Sequence, residues 1–203
     1  MTNNRWCPYT IFKSALPVDM CNNIINAHCY KEYTLGGILT GKGDSNTGTV
    51  HYDLRNVHIQ GTELEWLNAM LIGFTRIANN HNFDYDISDH DKERMQFSKY
   101  DVGMYFNNHM DFSCDRDAIA NTRKLSVTVQ LSDENDYEGG DLLLDYADME
   151  DWSWESDSNK LVCPREQGTV IVFDSRWVHQ VQPVTRGTRY SLVKWVHGDY
   201  PLR

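Results

Sequence analysis

No stretch of this sequence approaches the roughly 18 consecutive apolar residues that a bilayer-spanning helix needs, so a helical membrane protein is not expected. There is no CxxC pair either. The five cysteines, Cys7, Cys21, Cys29, Cys114 and Cys163, are odd in number and widely spaced, which argues against both a disulfide framework and a zinc site. Basic residues are scarce: 19 Lys and Arg stand against 29 Asp and Glu, for a net charge of −10. A surface that tracks phosphates needs clustered Lys and Arg, so nucleic acid is not an expected partner. The opening MTNNRWCPYT lacks the basic start and apolar run of a secretory leader. Internal repeats and low-complexity linkers are also missing. A soluble, cytoplasmic protein with one domain over 1–203 is the expectation, since that length can bury its own core.

What is present falls into two textures. Residues 1–93 mix helix and loop signals. Pro17 and Asp19 precede Met20, Ile24, Ile25 and Ala27, which predicts a helix over 17–33. Five glycines between Gly36 and Gly48 mark a loop. Thr62 followed by Glu65 reads as a capping box. It opens the clearest helix of the chain, in which Leu64, Leu67, Leu71, Phe74 and Ala78 recur at three- and four-residue steps and form a core face without chemistry. From residue 94 onward, short apolar and β-branched runs at 95–100, 124–131, 141–145, 169–173, 178–181 and 189–197 alternate with glycines. The expected fold class is mainly β with flanking helices (α+β). It is a β jelly roll over 94–203, with the helix-rich 1–93 packed on the outside of one sheet. The acidic stretch from Tyr146 to Asn159 reads as a surface insertion.

Three His-x-Asp triplets occur: His51-Tyr-Asp53, His109-Met-Asp111 and His197-Gly-Asp199. Any one of them can arise by chance, so context must separate them. Residues i and i+2 of an extended segment share a face, so a His and an Asp so placed can offer nitrogen and oxygen to one metal. A third ligand from a neighbouring strand completes a facial triad with open positions, the arrangement expected of non-haem Fe(II) oxygenases. His109 and Asp111 follow a strand, a glycine turn and aromatic residues, and His179 follows the apolar run 169–173. Ten residues after His179, Arg189 opens the last strand and offers a planar fork for a carboxylate.

These residues carry a family resemblance. The ordered elements are Tyr100-x-x-Gly103-x-x-Phe106-x-x-His109-x-Asp111, Lys124-Leu-Ser-Val-Thr-Val-Gln-Leu-Ser132, Tyr137-Glu-Gly-Gly-Asp-Leu142, Gly168-Thr-Val-Ile-Val-Phe173, His179-x-Val181 and Arg189-Tyr-Ser-Leu192. From about Met95 to Trp195 the chain resembles the Fe(II)/2-oxoglutarate dioxygenases, specifically the prolyl 4-hydroxylase-like branch that includes bacterial and phage PKHD-type hydroxylases. The resemblance implies a double-stranded β-helix and Fe(II) held by His109, Asp111 and His179. It also implies 2-oxoglutarate as co-substrate, its distal carboxylate on Arg189, with Tyr100 hydrogen-bonded to it. Ascorbate is a further cofactor candidate.

The implied substrate is a prolyl residue of a peptide or protein. The acidic insertion would favour a peptide carrying Lys or Arg. Two positions depart from the family pattern. Gln130 stands where some relatives place a second co-substrate tyrosine, so that its amide is the expected donor there. Phe106 lacks the hydroxyl that a tyrosine would bring. Weakly, Asp53-Leu-Arg55-Asn also resembles a segment of this branch, whereas His51 and His197 are read as structural. Tyr105, Trp177 and Trp195 are candidate walls of the cavity. Two other readings stay open: a non-catalytic jelly-roll binding or sensor module, and a dioxygenase acting on a small molecule or nucleic acid.

Overall fold

The computed structural model describes residues 9–36, 54–88, 92–145 and 160–200. His51, Asp53, most of the glycine-rich loop and the acidic insertion lie outside them. In chain order the strands and α-helices are β1 (Tyr9–Phe12), α1 (Val18–His28), β2 (Thr34–Leu35), β3 (Arg55–Asn56), β4 (His58–Thr62), α2 (Glu65–Ala78), β5 (Met95–Tyr100), β6 (Tyr105–His109), β7 (Arg123–Gln130), β8 (Tyr137–Gly139), β9 (Leu142–Asp145), β10 (Lys160–Val162), β11 (Val170–Asp174), β12 (Val178–Val181), β13 (Val184–Gly187) and β14 (Arg189–His197). All strand pairs are antiparallel. They form a seven-stranded sheet, β1-β11-β7-β14-β5-β4-β2, a five-stranded sheet, β10-β9-β12-β6-β3, and the small pair β13-β8. This is the jelly-roll architecture that the strand pattern predicted. Among the described residues no helix is long and apolar enough to cross a membrane.

Strand β7 shows why the two sheets differ in role. It is buried along its whole length, and its side chains alternate in chemistry. Leu125, Val127 and Val129 join the core that also holds Leu67, Leu71 and Ala78 of α2 and Cys21 and Ile24 of α1. Lys124, Ser126, Thr128 and Gln130 project to the other face, as the two-residue period requires. β14 repeats the pattern: Leu192 and Val196 face the helices, while Arg189, Ser191, Val193 and Trp195 line a cavity. One face of the seven-stranded sheet is therefore sealed by helices, and the other is free to carry polar groups.

The early segments depart from expectation in three ways. β1, β3 and β4 pair with β11, β6 and β5, so the first part of the chain supplies strands to both sheets as well as helices. α1 stops at His28 rather than at Tyr33, because the chain must reach β2 and because Gln60 Nε2 takes the carbonyls of His28 and Lys31 at 3.1 and 3.3 Å. Thr62 caps nothing. It ends β4 opposite Met95, and α2 starts at Glu65 with Leu64 at its N-cap and no side-chain cap bond. The strand ladder holds Thr62 before a cap can form. The apolar face of α2 is placed as its spacing predicted, with Leu67, Leu71 and Ala78 wholly buried. Cys21, Cys29, Cys114 and Cys163 are free thiols.

Two glycines test this packing in opposite directions. Gly168, at φ +81°, lies so close to the Leu16 carbonyl that a Cβ would sit 2.0 Å from that oxygen. Gly73, in the middle of α2, has nothing within 4 Å of that position. Gly168→Ala should cost about 2 kcal/mol or more in urea unfolding, from positive-φ strain and the backbone clash. Gly73→Ala should gain about 0.5–1 kcal/mol from helix propensity. Equal effects of the two substitutions would contradict this placement of the β1–β11 edge.

Candidate metal and co-substrate site

His109 ends β6, and His179 lies directly opposite it on β12. Asp111 sits just past the end of β6, its backbone N–H donating to Ser175 O at 3.0 Å. These three side chains converge: one ligand atom from each falls within 4.8 Å of the others. Asp111 Oδ1 is 3.9 Å from His109 Nε2, and Oδ2 is 3.5 Å from His179 Nε2. Both rings are oriented from behind in the same way. His109 Nδ1 lies 2.8 Å from Asn107 O and His179 Nδ1 lies 3.0 Å from Trp177 O. A carbonyl only accepts, so each Nδ1 carries the proton and each Nε2 presents a lone pair to the site. The donor set of two imidazole nitrogens and one carboxylate suits a first-row divalent metal.

The electrostatics agree with that use. Burial pushes the His109 imidazole down to about 3, with His179 adding to the effect, so the ring stays neutral. Burial alone would raise the Asp111 carboxyl, but His179, His109, Arg123 and the Ser126 hydroxyl overcome it and hold the group at about 2. Phe106, the position without a hydroxyl, forms a flat plate on His109, with centroids 3.4 Å apart and planes at 9°. Arg55 covers that ring at 4.6 Å.

Across a cavity of about 620 Å³ from the triad stands Arg189. It does not share a sheet with His179: β12 belongs to the five-stranded sheet and β14 to the seven-stranded one, so the two residues face each other between sheets rather than from adjacent strands. Arg189 is 1% exposed. Its Nη1 donates to Ser191 Oγ at 3.2 Å and its Nη2 to Gln130 Oε1 at 2.8 Å, while Nε is buried without a hydrogen-bond partner among the described residues. Tyr100, its register partner on β5, is buried beside it, with the guanidinium carbon 5.2 Å from the ring centre.

Gln130 is placed differently from expectation. Its amide N–H donates to Pro164 O at 3.1 Å and its carbonyl accepts from Arg189. It does not line the cavity. It therefore orients the arginine instead of offering the cavity a donor, because both of its polar ends are already engaged.

Of the aromatic candidates, Trp195 lines the cavity, whereas Tyr105 and Trp177 do not. His197 is tied to Glu93 and Thr122, each at 2.9 Å, away from the triad. Several residues at the site were assigned no role from the sequence: Arg123, Glu93 and Ser175, which stand in no motif, and Ser126, which stands within the run 124–132. Arg123 donates to Glu93 through Nε at 2.7 Å and to Asp111 O through Nη1 at 3.1 Å, and it stacks on Trp195 at 4.0 Å. The usable signal was the polar residue at every second position of β7 within an otherwise apolar run.

Glu93 makes this cluster sensitive to acid. Burial would raise its carboxyl, but His197 and Arg123 draw it down to about 2. A depressed carboxyl contributes stability above its unfolded value, and the contribution is lost as pH falls through the folded one. Wild type should therefore exceed Glu93→Gln by about 2–3 kcal/mol at neutral pH, with the gap shrinking between about pH 5 and pH 2. Denaturant unfolding at stepped pH measures it, and a gap constant with pH would count against the assignment.

A profile of the 2OG-Fe(II) oxygenase superfamily matches residues 95–197. A PKHD-type hydroxylase of Idiomarina loihiensis is 32% identical over 105 residues, which is 51% of this chain and only 41% of that relative's own length. Among solved structures, a Pseudomonas putida prolyl-4-hydroxylase superposes with TM-score 0.67 at 19% identity, covering 94% of this chain and 92% of that one. A Trichoplax adhaerens prolyl hydroxylase, solved with a hypoxia inducible factor peptide fragment, gives TM-score 0.70 at 15% identity over 95% of this chain and 84% of that one. At such identities the structural likeness is one of fold.

Proposed function

Since the chain belongs to the 2OG-Fe(II) oxygenase superfamily, we propose that it is a 2-oxoglutarate-dependent dioxygenase that hydroxylates a prolyl residue of a peptide or protein. The observation that carries this reading is the triad of His109, Asp111 and His179, with both Nε2 lone pairs turned inward and a buried guanidinium across the same cavity. In this reading the triad holds Fe(II). When bound, the iron supplies activation of O₂ coupled to oxidative decarboxylation of 2-oxoglutarate to succinate and CO₂.

The chain's own residues do the rest. Arg189 pairs with the distal carboxylate of the co-substrate, aided by Ser191 and Tyr100. Gln130 fixes the arginine's plane. Phe106 and Trp195 keep the cavity walls apolar and exclude water from the reacting centre. Exposed Leu35, Leu54 and Met110 border the opening, which suits an extended chain laid across it. The prolyl assignment rests on the kind of relatives the chain has, namely PKHD-type hydroxylases and, by fold, prolyl hydroxylases.

Under anaerobic conditions the protein should bind one Fe(II), and 2-oxoglutarate should then give a weak visible charge-transfer band. Asp111→Ala and His179→Ala should abolish the band. Arg189→Ala should keep the metal while raising the 2-oxoglutarate requirement tenfold or more, since a buried carboxylate without its charged partner loses about 2–5 kcal/mol. On exposure to O₂, a proline-containing peptide should gain one oxygen by mass. Oxidation confined to free amino acids, nucleobases or metabolites would remove the prolyl assignment, and absence of the band would remove the dioxygenase reading.

A further inference from the structure

Two buried serines behind Asp111 are more than filler between strands. Ser126, on β7, and Ser175, in the turn between β11 and β12, are both wholly buried. Ser126 Oγ donates to Asp111 Oδ2 at 2.6 Å and lies 2.9 Å from Ser175 Oγ. A hydroxyl has one proton, and an ionised carboxylate can only accept. The proton of Ser126 is therefore committed to Asp111, which makes Ser175 the donor between the two serines. The relay has one direction, from Ser175 to Ser126 to Asp111.

Ser175 also holds the backbone of the same residue. Its carbonyl accepts from the N–H groups of Asp111 and Phe112 at 3.0 and 2.9 Å, and its own N–H donates to Lys124 O at 3.0 Å. The turn is anchored one residue earlier by Asp174. That wholly buried carboxylate accepts from the Tyr85 hydroxyl and from Arg176, whose Nε and Nη2 lie 3.0 and 2.6 Å from its two oxygens.

We propose that Ser126, backed by Ser175, is a positioning residue that reserves Asp111 Oδ2 and turns Oδ1 to the metal. A carboxylate so held would bind a metal through one oxygen and would leave other positions open for co-substrate and O₂. A short bond from a hydroxyl to a carboxylate is charge-assisted and directional, and it resists the rotation that would bring both oxygens onto the ion. Partners behind a metal ligand of this kind typically change metal affinity by about 10- to 100-fold when removed. The inference rests on the iron-binding reading above.

The test is anaerobic titration of the full chain with Fe(II), together with the electronic spectrum of the Co(II)-loaded protein, which reports coordination number without turnover. Ser126→Ala should weaken Fe(II) binding about 10- to 100-fold and change the Co(II) spectrum as a second carboxylate oxygen enters. Ser126→Thr, which restores a hydroxyl on a strand that accepts β-branched residues, should return both to wild type. Ser175→Ala keeps the bond to Asp111 but removes its backing, and should give a smaller loss in the same direction. If Ser126→Ala fails to fold, Ser175→Ala and Ser126→Thr decide: unchanged affinity in the first, or a Co(II) spectrum in the second unlike wild type, overturns the proposal. Wild-type affinity and spectrum in Ser126→Ala overturn it directly. Failure of the wild-type chain to bind Fe(II) would instead bring down the functional reading itself.

Discussion

The antiparallel pairing of β6 with β12 sets His109 opposite His179, and the site depends on that register. Side chains directly opposed on antiparallel strands stand about 4.5–5.5 Å apart at Cβ, close enough for two imidazoles to share one ion. A shift of one residue would turn one ring to the other face of the sheet. On the Phe106 side of this pair the ladder has a register irregularity, between His179 and Val181. On the other side Asp111 leaves the strand and is caught by the Ser175 carbonyl. Two of the three candidate ligands are thus set by sheet pairing, and the third is held by the turn that links β11 of one sheet to β12 of the other.

That turn can reach Asp111 because β7 and β11 are adjacent in the seven-stranded sheet. Their helix-facing residues fill one apolar core; on the other face β11 adds Ile171 and Phe173 to a second apolar cluster, whereas β7 carries polar residues there. Lys124, Ser126, Thr128 and Gln130 would each be costly on the helix-facing side, where no partner waits. On the cavity side three of their roles are visible: Ser126 bonds to Asp111, Gln130 to Arg189, and Thr128 lines the cavity. The same alternation that stabilises the sheet therefore assembles the support of the site.

The charges within the cavity are sorted by what each already holds. Arg123 is engaged by Glu93 and the Asp111 carbonyl, so its positive charge is largely spent inside the protein. Among the described residues the side-chain hydrogen-bond partners of Arg189 are neutral, Gln130 and Ser191, and its Nε is buried with none. A buried guanidinium satisfied by neutral oxygens retains its full attraction for an incoming carboxylate. Gln130 matters here because its carbonyl orients the fork without neutralising it.

The sequence by itself determined six of the ten described strands from Met95 onward (β5, β7, β9, β11, β12 and β14), the core face of α2, and the short list of candidate groups for metal and carboxylate. Those features depend on local period and on residue chemistry: β5, β12 and β14 begin and end where their apolar runs do. Choosing His109 and Asp111 among three similar triplets needed the family resemblance as well as the spacing. Other features were decided only in three dimensions. Thr62 entered a strand instead of capping a helix, and Gln60 ended α1, because partners distant in sequence claimed those residues. Arg123, Glu93 and Ser175 stand in no motif and Ser126 stood in one without a role; their part in the site comes from contacts 12 to 49 residues apart. Gln130 looked like a donor to the co-substrate, yet it became a support for Arg189 once Pro164 took its amide. Periodicity assigns a residue to a face, but which group across that face accepts its proton depends on how the two sheets close over each other.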